Sequence, residues 1–298
     1  MRVLITGSNG FIGKHVVDYF KENKAYVIGL GRNIESKSNA DVYYRCDMSE
    51  PNIEDVFKNE KIDAVVHLAA DMRKEPYTTD VIQHNCVGTE RILKLCTKYG
   101  VKVFTELSSL PVIGAPKVHP ITEEHPLRPY TVYHITKVME EMLAEYATDM
   151  YGLRTTSFRI SAPVGIGMNP KTIFSVFVEN AVKNRPLTIA GKGGRKQTYV
   201  HVRDIAQALY LAVIKEKAQG VYNLSSYNMI SNKELAELII KETKSNSEIV
   251  YSGIDDKEEN YIWDVSLEKI KKDLEYVPKV DLSTAIRELA EFKRKEYD

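Results

Sequence analysis

The stretch from Arg2 to Phe20 constrains this chain more than any other. Val3, Leu4 and Ile5 form a short apolar run of the kind found in a buried parallel strand. Thr6-Gly7 ends that run, Gly7, Gly10 and Gly13 follow at intervals of three, and a helical pattern begins at once in Ile12, Val16, Val17 and Phe20. Strand, glycine turn and helix in this order suit a nucleotide pyrophosphate. The glycines let the backbone approach closely, and the helix N-terminus supplies unpaired N–H groups and a partial positive charge. A glycine triplet alone is a weak signal. Its position between a strand and a helix start makes a mere tight turn the poorer explanation.

The rest of the composition narrows the class. The 298 residues suffice for one large or two unequal domains. Forty-one basic residues balance forty-one acidic ones, so no net field draws the chain to nucleic acid or to a membrane surface, and neither is expected as a partner. Cys46, Cys86 and Cys96 are sparse and contain no CxxC pair, which argues against a disulfide framework or a metal site and fits a reducing, cytoplasmic setting. No apolar run approaches the ~20 residues of a membrane span. A strand at the N-terminus leaves no signal peptide expected.

Beyond the first helix, strands are expected at Ala25–Leu30, Val42–Cys46, Ala64–Leu68, Val101–Leu107 and Arg154–Ile160, with helices between them at Ile53–Asn59, Val81–Tyr99 and Thr131–Tyr151. That alternation implies an α/β fold: a Rossmann-like, doubly wound parallel sheet over residues 1–165, joined by a smaller C-terminal α+β substrate lobe. Residues 198–222 are expected to return to the first domain, leaving 166–197 and 223–298 as the lobe. In the later part, Ser231 and Glu234 form a capping box at the start of a helix running to Thr243.

Several positions near the strand ends carry alternatives. An acidic residue about 20 positions past the glycines ordinarily binds the adenosine ribose of NAD. Here Gly31 stands in that region and Arg32 follows. A small residue beside a guanidinium suits the 2′-phosphate of NADP; a solvated Arg32 is the alternative. Asp47 can touch the adenine amino group or cap the short helix expected at Ile53–Asn59. His67 lies in an apolar strand and reads as a hydrogen-bonded core histidine.

Chemistry is concentrated in three residues. Tyr133 and Lys137 are spaced i, i+4 and share one helix face, and Ser109 stands at the end of the preceding strand. A phenol with an ordinary pKa of ~10 serves as a base near neutrality only beside a cation, and an ammonium supplies one. Ser109 can then hold a substrate hydroxyl while Tyr133 takes its proton and hydride passes to a nicotinamide.

These residues resemble the extended short-chain dehydrogenase/reductase family, in particular its NAD(P)-dependent sugar-nucleotide epimerases and reductases. The resemblance runs through Thr6-Gly7-x-x-Gly10-x-x-Gly13, His67-Leu-Ala-Ala70, Asn85-x-x-Gly88-Thr89, Ser108-Ser109-x-x-Val112-x-Gly114, Tyr133-x-x-x-Lys137 and Tyr199-Val-His-Val-x-Asp204. It continues in Asp264-Val-Ser and Leu274-x-Tyr276-x-Pro278. It implies Ser109, Tyr133 and Lys137 as the catalytic set. It further implies cofactor contacts at Gly7, Asn9, Gly10, Phe11, Ile12, Gly13, Arg32, Asp47, Met48, Leu68, Ala69, Ala70, Asn85, Tyr133, Lys137, Ile160 and Pro163. Substrate contacts are implied at Ser108, Ser109, Leu110, Tyr133, Arg195 and Tyr199. The cofactor is NADP or NAD, with NADP slightly favoured by Gly31 and Arg32. The substrate is a nucleotide sugar, and a homodimer through the helices at Val81–Tyr99 and Thr131–Tyr151 is expected.

Departures from the family pattern bear on substrate. Gln197 stands where many nucleotide-sugar enzymes have an arginine on the diphosphate, leaving Arg195 as the candidate replacement. Ser161-Ala162-Pro163 stands where an asparagine is usual. Leu110-Pro111 occupies the two positions at which the family's 4,6-dehydratases carry an acid and a base. The resulting expectation is C4 epimerisation or 4-keto reduction without elimination. The alternatives are reduction of a smaller carbonyl compound and a catalytically idle dinucleotide sensor.

Overall fold

The computed structural model describes residues 1–296. In chain order, β1 (Arg2–Thr6), α1 (Phe11–Glu22), β2 (Tyr26–Gly31), β3 (Val42–Arg45), α2 (Glu54–Asn59) and β4 (Ala64–His67) form the first half of the main sheet and its cover. Next come α3 (Thr78–Ile82), α4 (Gly88–Lys98), β5 (Val103–Ser109), α5 (Val132–Tyr151) and β6 (Arg154–Ile160). The remainder comprises β7 (Ala162–Val164), α6 (Ile173–Val182), β8 (Leu187–Ile189), β9 (Lys196–Gln197), β10 (Tyr199–His201) and α7 (Val202–Ile214). It closes with β11 (Gly220–Leu224), β12 (Ile230–Ser231), α8 (Asn232–Thr243), β13 (Ile249–Tyr251), α9 (Glu268–Leu274) and α10 (Leu282–Lys295).

Seven strands make one parallel sheet in the order β11-β6-β5-β4-β1-β2-β3. The chain leaves β1 in one direction for β2 and β3 and in the other for β4 to β6. The carboxyl ends of β1 and β4 therefore open a crevice where ligands bind in such sheets. Both faces are covered, which is why β1, β2 and β4 are mainly apolar. Phe20 of α1 is fully buried against one face and Phe104 of β5 against the other. A side chain of that size contributes about 2–3 kcal/mol by leaving water. A third apolar core gathers α6, α8 and α10 around Phe174, Phe177 and Ile286. Three two-stranded sheets, β7 with β10, β9 with β12 and β8 with β13, edge this smaller lobe.

Several elements differ from the sequence-based expectation. The helix expected over Val81–Tyr99 is α3 and α4 joined by a π-helical turn at Gln83–Val87, the widened turn that carries His84 and Asn85. The segment expected to return to the first domain at 198–222 opens with β10, which pairs with β7 outside the main sheet. Within 198–222, the residues that join the main sheet are those of β11, which extends it beyond β6. The capping box of α8 is present as expected, with Ser231 accepting from the Glu234 N–H and Glu234 from the Ser231 N–H. The three cysteines are buried and free. Among the described residues, no helix is long and apolar enough to cross a membrane.

Candidate active site

The glycine turn sits at the carboxyl end of β1, facing the end of β4. Gly7 has φ +67°, and a Cβ there would lie 2.8 Å from the Ala69 nitrogen. A Cβ on Gly13 would strike the Gly7 carbonyl oxygen. Both positions therefore exclude side chains, and the turn stays tight against the start of α1. The cleft beside it is lined by Gly7, Asn9, Gly10, Arg32, Asp47, Met48, Leu68, Ala69 and Ala70, all anticipated from sequence, and by Gly31. Thr6 closes its base, where its hydroxyl accepts from the N–H groups of Leu68 and Ala69 at 3.1 Å each. A cradle that any Cβ would fill, at a helix N-terminus, fits the pyrophosphate of a dinucleotide.

The rim carries charge. Asp47 accepts from both the N–H and the hydroxyl of Ser49, at 2.9 and 2.8 Å. Burial works against its charge, but these bonds outweigh burial and hold the carboxyl below the usual carboxylate range. Asp47 thus caps the turn at Ser49 rather than α2. Arg32 is largely exposed, with its guanidinium 3.9 Å from Asp47. The tyrosyl oxygen of Tyr43 would lie 3.1 Å from a Cβ on Gly31, so the space beside that glycine is already narrowed. His84 and Asp71 also line the cleft and had not been anticipated. His84 lies between carboxylates, 3.0 Å from Asp71 and 3.3 Å from Asp47. Arg73 grips Asp71 through two nitrogens and holds it well below the usual carboxylate range. The turn that swings His84 inward is π-helical, a shape that i, i+3 and i, i+4 reading does not foresee.

The reactive end lies where β5 meets α5. Ser109 ends β5 half-exposed, and Thr131, two residues before Tyr133, caps α5 by accepting from the His134 N–H. The hydroxyls of Ser109 and Tyr133 make no hydrogen bond to another described residue. Lys137 lies one turn on, its ammonium 5.9 Å from the centre of the Tyr133 ring. Burial raises the Tyr133 phenol above its ordinary value, Lys137 opposes that rise, and Glu140 adds to it. Burial also works against the Lys137 ammonium. Glu140, Tyr133 and Glu106 outweigh it and hold Lys137 above the ordinary lysine range. The lysine is 3% exposed and donates to Glu140 at 2.8 Å.

Other anticipated contacts have different roles. Ser108 is buried and donates its hydroxyl to Glu141. Leu110 is buried in the apolar core under the sheet. Tyr199 is buried against Phe174, and its hydroxyl accepts from Gln197, so it belongs to the core of the smaller lobe. Asn85 is fully buried, with its amide taken up by the backbone of Asp71 and the hydroxyl of Thr136. It clamps the segment after β4 to α5. Gly13 and Ile12 support the turn from within α1, and Phe11 packs toward the core of the smaller lobe. Ile160 ends β6 in register with Ser109, and Pro163 lies on β7. Arg195 pairs with Glu258 at 2.9 Å, while its Nε is buried without a partner. His67 accepts the role expected for it: it lies between the hydroxyls of Thr6 and Thr89 at 2.9 and 3.0 Å, and burial lowers its pKa to about 3.

The interior behind Lys137 had not been anticipated at all. Glu106 and Glu140 are fully buried beside the lysine, and Glu141 forms a buried, two-pronged ion pair with Arg159 of β6 at 2.7 Å. Glu140 and Glu141 sit three and four residues past Lys137, the helical spacing that would have pointed to them.

The comparisons with known proteins agree with this geometry. Residues 3–225 match the model of the NAD dependent epimerase/dehydratase family. A putative UDP-glucose 4-epimerase of Methanocaldococcus jannaschii is 27% identical, with 98% of each chain covered. A dTDP-glucose 4,6-dehydratase of Salmonella typhimurium is also 27% identical, over 98% of this chain and 92% of its own. The crystal structure of a UDP-glucose 4-epimerase with UDP-glucose from Thermotoga maritima superposes with a TM-score of 0.91 at 28% identity, covering 100% of both chains. With the glycine cradle, the parallel sheet and most of the chain's length in common, the chain belongs to the NAD dependent epimerase/dehydratase family.

Proposed function

We propose that this chain carries out hydride chemistry at C4 of a nucleotide-linked sugar, as a C4 epimerase or a 4-keto reductase, without elimination of water. The observation that carries this reading is the pairing of two unengaged hydroxyls, Ser109 and Tyr133, with a buried apolar Leu110 and a Pro111 in the two following positions. Elimination across C5 and C6 needs an acid and a base there, and neither residue has a proton to exchange. Nearby carboxylates are engaged elsewhere: Glu123 accepts from the Asn223 N–H at 2.8 Å.

In this reading Ser109 orients the sugar hydroxyl or carbonyl, and Tyr133 moves the proton at its Oη. Lys137 keeps a positive charge beside the tyrosine. When bound, NAD accepts or donates the hydride. Gly7, Gly10 and the N–H groups at the start of α1 would hold its pyrophosphate, with Asp47 and Arg32 available to its adenosine half. The dinucleotide is NAD. The family is NAD-dependent, and nothing in the comparisons supports the preference for NADP expected from Gly31 and Arg32. The guanidinium of Arg32 also faces Asp47, which weakens the case for a 2′-phosphate partner.

Incubation with UDP- and dTDP-hexoses, followed by mass spectrometry, tests the reading. Epimerised or 4-reduced sugar is expected; a 4-keto-6-deoxy product overturns it. Tightly bound NAD(H) in the purified protein favours the epimerase, because that reaction returns the hydride to the same carbon. One observation favours reduction of a smaller carbonyl compound as a second reading: Arg195, the candidate for the diphosphate, is neutralised by Glu258. A homodimer is consistent with the exposed apolar row Ile135, Met139, Met142, Tyr146 and Met150 along α5. Light scattering of the purified chain tests that assembly.

A further inference from the structure

Behind Lys137, two carboxyl groups and one ammonium are enclosed in the protein. Glu106 of β5 is 0% exposed, Glu140 is 1% and Lys137 is 3%. Lys137 donates to Oε2 of Glu140 at 2.8 Å, and the Ser157 hydroxyl donates to Oε1 of Glu106 at 2.7 Å. The other oxygen of each carboxyl, Glu106 Oε2 and Glu140 Oε1, is buried and has no donor. The two carboxyls are close enough to hydrogen-bond one another. Two ionised carboxylates cannot form that bond, since both only accept. One proton between them gives each orphan oxygen a partner and leaves the set electrically neutral with Lys137.

The surrounding groups do not alter that balance. Glu141 on α5 is matched by Arg159 on β6. His67 on β4 is kept neutral by burial, and burial pushes the thiol of Cys86, on the π-helical turn, up to about 11. Tyr133 is the remaining ionisable group on this face of α5, and the charge of Glu140 acts on it directly. Burial and the facing Glu140 both push Glu106 above the usual carboxylate range, the direction a shared proton requires.

We propose that Glu106 and Glu140 hold one proton between them and, through Glu140, set the charge beside Lys137, so that both are positioning residues for the Tyr133 proton transfer. The proposal rests on the roles given to Tyr133 and Lys137 above. Its central consequence is a difference in sign. Glu140→Gln removes the carboxylate nearest Lys137 and lets Tyr133 ionise at lower pH, by about one unit. Glu106→Gln leaves a full charge on Glu140, so Tyr133 ionises at the same or a higher pH. A merely structural role for the pair would move both variants alike.

Two measurements on the purified full-length protein test this without relying on turnover. Infrared difference spectra of the wild type between pH 6 and 9 are expected to show the carbonyl stretch of a buried carboxylic acid, absent from Glu106→Gln and from Glu140→Gln. Ultraviolet difference titration against Tyr133→Phe in each background reads the ionisation of Tyr133 itself, in the presence of NAD. Opposite or unequal displacement in the two variants, with loss of the acid band in both, supports the proposal. No buried acid band in the wild type, or equal displacement in both variants, overturns it. The wild-type infrared titration stands even where a variant fails to fold. If the band and the unequal displacement appear but no sugar nucleotide or carbonyl compound is turned over, the proposed reaction falls and the proton-sharing pair remains.

Discussion

The two halves of this site are built from different materials. The dinucleotide cleft at the ends of β1 and β4 is made mainly of backbone: a tight glycine turn, the N–H groups of α1, and a Thr6 hydroxyl holding Leu68 and Ala69 in place. The reactive end between β5, α5 and β6 is made of side chains, with Lys137, Glu106, Glu140, Glu141 and Arg159 packed out of contact with water. A backbone cradle binds any dinucleotide phosphate with little dependence on pH. A buried charge cluster makes reactivity depend on exact pairing. Damage to the first should therefore appear in affinity, and damage to the second in stability and rate.

The sharpest way to break that contrast is Glu141→Ala. It strands the Arg159 guanidinium and the Ser108 hydroxyl in the interior, and a buried pair that loses one partner costs about 3–5 kcal/mol. Chemical denaturation should register that loss; a change within 1 kcal/mol would mean that water reaches Arg159. Next in size is Tyr133→Phe, which should lower turnover by ~100-fold or more, equivalent to about 2.7 kcal/mol of barrier, with NAD affinity within a few-fold. More than a tenth of the wild-type rate would remove Tyr133 from its assigned role.

On the cleft side, Gly13→Ala forces a methyl group into the Gly7 carbonyl. Overpacking of this kind costs about 1–3 kcal/mol, and calorimetric NAD affinity should fall by roughly tenfold as the turn opens. Unchanged affinity would show that the turn is not the pyrophosphate cradle. The smallest effect expected is from Arg32→Ala. Its exposed pairing with Asp47 contributes at most about 1 kcal/mol, so NAD binding should change less than fivefold. A selective loss for NADP in a side-by-side titration would restore the 2′-phosphate role for this residue.

How much could be read from sequence follows the same division. The cleft was legible because its signal is local: Gly7, Gly10 and Gly13 follow one another within one turn, and nine of the anticipated cofactor contacts line the space beside it. Tyr133 and Lys137 were legible because their spacing puts them on one face of one helix. Glu106 was not, because a lone charge in an apolar strand announces a partner without saying which. Its partners lie on α5 and β6, distant in sequence. Ser108 and Ser109 show the finer limit. Neighbours on a strand face opposite ways, so only one of an adjacent pair can face the site. Ser108 turned inward to Glu141, leaving the other at the strand end. Tyr199 and Leu110, both buried, show a related limit: a motif position states which residue is present, not which side of the sheet its side chain enters.

The Asn85 clamp couples the two halves mechanically. One amide ties the backbone at Asp71, beside the cleft, to Thr136, the residue just before Lys137. The segment after β4 and the first turns of α5 are thereby stapled together, so a ligand that quiets the Ala69–Asp71 segment is expected also to slow amide exchange at the foot of the tyrosine's helix.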